Sequence, residues 1–144
     1  MKILVFTEGT ATMYPSQEKF FDVPTYIPTK GAVEKLKSWQ QRGAEICYLT
    51  SQRWNENPQA VEATLGRFHF PAGKLYYREE GEEYADVVRR VHPDVLVEDD
   101  CKSIGWQEVI TPRLRPDWNI HGIVVPEFGG LAHLPDDPQQ LRVL

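Results

Sequence analysis

Cysteine is scarce in this sequence, and the two that occur, Cys47 and Cys101, lie far apart with no CxxC pair. That spacing excludes a disulfide framework and a zinc knuckle and fits a reducing cytosol, so a cytoplasmic location is expected. Histidine supplies no metal set, because His69, His92, His121 and His133 are scattered without ligand spacing. An excess of positive charge is also missing: 16 basic residues face 21 acidic ones, for a formal net charge of −5. The whole-molecule field therefore disfavours nucleic acid and anionic membrane surfaces as partners. Long apolar runs are absent too. The one at Met1 to Phe6 is too short for a secretion signal or a membrane span, and it is expected to be a buried strand. No internal repeat or low-complexity segment is visible.

What is present is the material of one core. A chain of 144 residues with 41% hydrophobic content is expected to form a single α/β domain over residues 1–144. Four runs, Ile3 to Phe6, Ala44 to Leu49, Asp94 to Val97 and His121 to Val125, are almost continuously apolar, as strands covered on both faces are. Leu75 to Tyr77 is a shorter fifth candidate. Between them, Ala32, Val33, Leu36 and Trp39, then Tyr84, Val87, Val88 and Val91, paint apolar stripes at helical spacing. Thr29 is the expected cap of the first helix and Gly43 its end, and Asn57-Pro58 opens a second.

Alternating strands and helices imply right-handed crossovers and a central parallel sheet between two helical layers, a three-layer α/β/α sandwich. Ligands of such sheets bind beyond the strand C-termini. Residues 11–29 form a long aperiodic connection, the kind that serves as a lid or functional loop.

Three polar groups stand where the apolar runs stop: Thr7-Glu8-Gly9-Thr10, Thr50-Ser51-Gln52-Arg53 and Glu98-Asp99-Asp100. Three consecutive carboxylates repel one another, and ligation of Mg²⁺ by hard oxygens offsets that repulsion. A hydroxyl pair such as Thr50 and Ser51 suits phosphate oxygens. The plainer readings are a solvated strand end whose Asp100 or Ser103 caps a helix through Ile104 and Val109, and a turn whose hydroxyls bond nearby backbone. Glu8, between a buried strand and Gly9, has little packing explanation. Arg53 either clamps an anion or pairs with a surface glutamate, and Trp54 beside it is a candidate pocket wall. Cys101, beside the acidic run, is expected to have a raised thiol pKa and no nucleophilic role.

Phe6-Thr7-Glu8-Gly9-Thr10, Ile27-Pro28-Thr29-Lys30-Gly31-Ala32, Leu49-Thr50-Ser51 and Pro93 to Asp100 together resemble the haloacid dehalogenase (HAD) superfamily, in that family's order and over nearly the whole chain. The resemblance implies a HAD-like Rossmannoid fold with a minimal cap, residues 11–29 taking the cap position. It also implies phosphatase chemistry on a phosphorylated small molecule or macromolecule. By position it makes Glu8 the general acid and base, and places Thr10, Thr50, Ser51, Arg53 and Lys74 around phosphate. Glu98, Asp99 and Asp100 become the Mg²⁺ ligands. Phe6, however, stands where the family has its nucleophilic Asp, and a phenyl ring neither attacks phosphorus nor binds metal. Glu82, Glu83 and Tyr84 occupy the usual place of the family's lysine. Two functions follow as expectations: a phosphohydrolase-related domain with impaired or altered catalysis, or a non-catalytic regulatory or interaction module on the same scaffold.

Overall fold

The computed structural model describes all of residues 1–144. In chain order the strands are β1 (Lys2–Phe6), β2 (Thr12–Met13), β3 (Ile27–Pro28), β4 (Glu45–Leu49), β5 (Leu75–Tyr76), β6 (Val95–Asp99) and β7 (His121–Val125). The helices are α1 (Ala32–Gln41), α2 (Pro58–Arg67) and α3 (Tyr84–Val91). Five strands form one parallel sheet in the order β5-β4-β1-β6-β7. The apolar runs are therefore strands, displaced at their ends by a residue or two. The displacement matters at β6, which continues through Glu98 and Asp99 instead of stopping before them.

Alternation along β1 divides the core. Ile3 and Val5 point to the α1 and α2 side, where they pack with Leu36, Trp39, Val61 and Leu65. Leu4 and Phe6 point to the other side, against Tyr84, Val87, Val88 and Val91 of α3. Two helical layers thus enclose the sheet, each held by one parity of the same strands. The all-apolar strand sequences follow from this, since both faces are dry.

Local chemistry departs from expectation at two helix starts. Residue Gly31, in the left-handed region, precedes α1 in the cap position. The Thr29 hydroxyl instead donates to the carbonyls of Thr10 (2.7 Å) and Ala11 (3.2 Å). The helix expected through Ile104 and Val109 does not form. Residues 101–118 hold only short 3₁₀ turns at Lys102–Ile104, Thr111–Arg113 and Pro116–Trp118. Gly105 and Trp106 adopt positive φ there, which breaks helical continuity. Within residues 11–29, β2 and β3 pair antiparallel as a small flap beside the sheet end. No helix is long and apolar enough to cross a membrane.

Candidate functional site

The C-terminal ends of β1, β4 and β6 carry the polar groups. Glu8 follows β1 and turns one carboxylate oxygen, Oε1, into the loop after β4. That oxygen accepts from the Thr50 hydroxyl (2.8 Å), the Ser51 backbone N–H (2.7 Å) and the Ser51 hydroxyl (2.6 Å). The other oxygen accepts from the Thr7 hydroxyl. Two hydroxyls and an amide converging on one oxygen make an oxyanion cradle. Here the anion in it is the protein's own half-buried side chain.

The three consecutive acids do not meet. Because successive side chains of a strand point to opposite faces, Glu98 and Asp99 diverge. Glu98, 2% exposed, accepts from the backbone N–H groups of Ile110 (2.8 Å) and Thr111 (2.5 Å) and from the Thr111 hydroxyl. Asp99 accepts from the Thr10 hydroxyl (2.7 Å) and the Cys101 N–H (3.0 Å). Asp100 accepts from the N–H groups of Lys102 (3.1 Å) and Glu127 (3.3 Å), toward a second, shallower depression. Of the metal trio expected from the run Glu98-Asp99-Asp100, each carboxylate is bonded to a different part of the backbone. Gly9 explains part of this, for at φ +93° it lies so close that a Cβ would sit 2.7 Å from Asp99 Oδ1.

Beyond the strand ends opens a cavity of about 760 Å³, lined among others by Glu8, Ser51, Arg53, Glu98 and Asp99. Thr10 is fully buried behind it, bonded to Asp99. Lys74 is not part of the lining. It is exposed and lies over the Tyr76 ring (4.9 Å), on the edge strand of the sheet, where its carbonyl accepts from the Tyr48 N–H (2.9 Å). Trp54 is likewise outside the lining, 47% exposed. The Arg53 guanidinium donates to the Glu82 carbonyl at 3.3 Å, which fastens it to the rim.

Sequence reasoning missed most of the walls. Phe6 packs edge-on against Tyr84 with ring centres 5.2 Å apart, and the Arg78 guanidinium covers the Tyr84 ring at 4.0 Å. Arg78 also donates to the Ser51 carbonyl (2.8 Å), while its buried Nε has no acceptor. Opposite stands an aromatic bank centred on Tyr14, with Phe20 at 5.4 Å, Tyr26 at 6.2 Å and Phe128 at 5.0 Å, and with Phe21 against Phe20. The Phe128 backbone N–H donates to the Gly9 carbonyl (2.9 Å), which brings the turn after β7 to the site. One signal was available: residues 11–29 hold four aromatic side chains without any helical or strand period to bury them.

The lining is electronegative. Burial, with the charge of Glu8 and the neighbouring Tyr14 adding to it, pushes the Tyr26 hydroxyl up to about 12. Burial also raises the Tyr84 hydroxyl, opposed by Arg78 and assisted by Glu108 and Glu8. Glu98 and Asp99 are raised chiefly by burial, against the hydrogen bonds they accept. Burial raises the Cys101 thiol, and Asp99 raises it further, so a thiolate is suppressed. The donor set does not fit the Mg²⁺ that the HAD resemblance implies. No three His, Cys, Asp or Glu side chains come together as a metal-holding group, and Phe6 contributes no oxygen where β1 ends.

No protein-family model and no curated protein matches the chain. Solved structures do. A chain of the Pnkp1/Rnl/Hen1 complex superposes with a TM-score of 0.63 at 13% identity, over 88% of this chain, which spans 47% of that one. An uncharacterised protein from Listeria monocytogenes serotype 4b matches at 0.60 and 14% identity, over 100% of this chain and 99% of the other. A D,D-heptose 1,7-bisphosphate phosphatase from B. bronchiseptica, solved with magnesium and phosphate, matches at 0.53 and 14% identity over the whole of both chains. At these identities the likeness shows the fold alone: an α/β Rossmannoid architecture around a parallel central sheet.

Proposed function

We propose that this chain is a phosphohydrolase-related domain that has lost phosphoryl-transfer chemistry and serves as a ligand-binding module. The observation that carries the reading is the aromatic contact at the end of β1. Where the HAD resemblance calls for a nucleophilic Asp and a charge-steadying Lys, Phe6 and Tyr84 pack together at 5.2 Å. Neither ring forms a phosphoryl ester intermediate under ordinary conditions, the buried tyrosine least of all, since its hydroxyl is held protonated. Glu8, the acid and base by resemblance, keeps its carboxylate in the Thr50 and Ser51 cradle and has no partner nucleophile to serve.

The test is an assay with p-nitrophenyl phosphate and Mg²⁺. The expected result is no turnover above the uncatalysed rate and no Mg²⁺-dependent rise in melting temperature. Turnover that Glu8→Gln abolishes overturns the proposal.

A second reading is favoured by the cradle itself. Thr50, Ser51 and the Ser51 amide are the donors a phosphorylated ligand needs, and such a ligand binds them once Glu8 swings away. Glu8→Ala vacates the cradle. On this second reading, tungstate raises the melting temperature of that variant well above any effect on the native protein.

A further inference from the structure

The cavity has a charge balance that a phosphate site lacks. Glu8, Glu56, Glu98, Asp99, Glu108 and Glu127 line it against only Arg53 and Arg78. Setting aside Glu98 and Asp99, whose burial favours their neutral forms, four glutamates still outnumber two guanidinium groups. The two arginines are also engaged, Arg53 on the Glu82 carbonyl and Arg78 on the Ser51 carbonyl and the Tyr84 ring. The second of these contacts places a cation on an aromatic face inside this very cavity.

The remaining walls are rings with no equivalent partner. Tyr14, Phe20, Tyr26 and Phe128 interlock edge to face, and Phe21 stands beside them 91% exposed. An aromatic bank that lines the same cavity of about 760 Å³ as the carboxylates attracts positive charge through both the ring quadrupoles and the anions. A multivalent metal does not satisfy it, since no three ligands converge.

Resting on the reading of a non-hydrolytic ligand-binding module, we infer that the cavity takes an organic cation with a flat or apolar body. Its charge faces the glutamates, and its body lies against Tyr14, Phe20, Phe21 and Tyr26. A phosphate there meets Glu8 and Glu108, both near enough to act on Tyr84.

The probes are benzyltrimethylammonium, benzyl alcohol and phenyl phosphate, which share a ring and differ in charge, titrated separately while backbone amide shifts are followed by NMR. The inference expects saturable shifts concentrated at residues 14–26 and 127–128 for the cation, with affinity at least about tenfold above that for phenyl phosphate. Both Glu108→Gln and Tyr14→Leu weaken cation binding, and added salt does the same. Glu108→Gln, at a half-buried rim residue, is judged only if its melting temperature matches the native protein, and the salt titration needs no variant. Equal or tighter binding of phenyl phosphate overturns the inference, as does equal binding of benzyl alcohol or absence of saturation by benzyltrimethylammonium at about 10 mM. A protein that hydrolyses nothing yet ignores the cation loses only the ligand class, whereas phosphatase turnover removes the module reading itself.

Discussion

Glu8 and Glu98 are the same residue type at the ends of neighbouring strands, each accepting from hydroxyl and amide donors, yet their surroundings separate their roles. Glu98 is 2% exposed, and of its donors Ile110 is buried and Thr111 half-buried. Glu8 is half-buried at the cavity wall, and of its donors Ser51 lines the cavity beside it while Thr50 is buried behind it. One carboxylate fastens the 3₁₀-turn segment to the sheet; the other fills an oxyanion cradle. Burial, not residue type or hydrogen-bond number, decides which is structural.

That contrast can be broken most forcefully at Glu98. Glu98→Ala leaves a buried amide, a half-buried amide and a hydroxyl without their acceptor, and urea unfolding should register a loss of about 3 kcal/mol. A loss below about 1 kcal/mol would show that the turn segment finds other acceptors and that the contrast is wrong.

pH sharpens it next. Burial raises Glu98 and Asp99 above their ordinary values of 4.5 and 3.8, so over that window the folded state binds more protons than the unfolded one. Stability therefore falls as pH climbs from the ordinary carboxylate values toward the raised ones, by at most about 1.4 kcal/mol per pH unit for each group. In Glu98→Gln the fall should be shallower, read from unfolding free energies across that range. An unchanged slope assigns the dependence elsewhere.

Glu8→Ala is the smaller perturbation, about 1 kcal/mol, because water replaces the carboxylate at Thr50 and Ser51. A cost equal to that of Glu98→Ala would erase the distinction between the two acids. The least effect is expected for Tyr26→Phe, which removes the hydroxyl donated to the Phe20 carbonyl (2.6 Å) and should cost about 0.5 kcal/mol by thermal unfolding. Wholesale loss of folding there would make the aromatic bank part of the core instead of a cavity wall.

Much of the sheet was legible because a strand covered on both faces is apolar at every position, as Ile3 to Phe6 is. The strand-end hydroxyls were legible for the complementary reason, being polar where apolarity stops. Glu98, Asp99 and Asp100 misled because adjacency in sequence suggests adjacency in space, whereas β6 runs on through two of them and sends them to opposite faces. The link from Glu98 to Thr111 crosses an irregular segment with no period to reveal it. Likewise Tyr84 was legible as a helix position facing the core, but its contacts with Phe6 and Arg78 depend on how three separate elements pack.

The Thr29 hydroxyl bonds to the carbonyls of Thr10 and Ala11, and β2 pairs with β3 just beyond. Everything between Met13 and Ile27 leaves and re-enters the sheet at this neck, and Arg67 of α2 holds it a second time, donating to the carbonyls of Pro24 (3.1 Å) and Tyr26 (3.2 Å). Such a neck lets the intervening loop be exchanged or lengthened as a cassette, altering the ceiling above Glu8 while the register of β1 with β4 and β6 stays untouched. A graft that keeps the two carbonyls Arg67 holds can thus reshape that ceiling without touching the sheet.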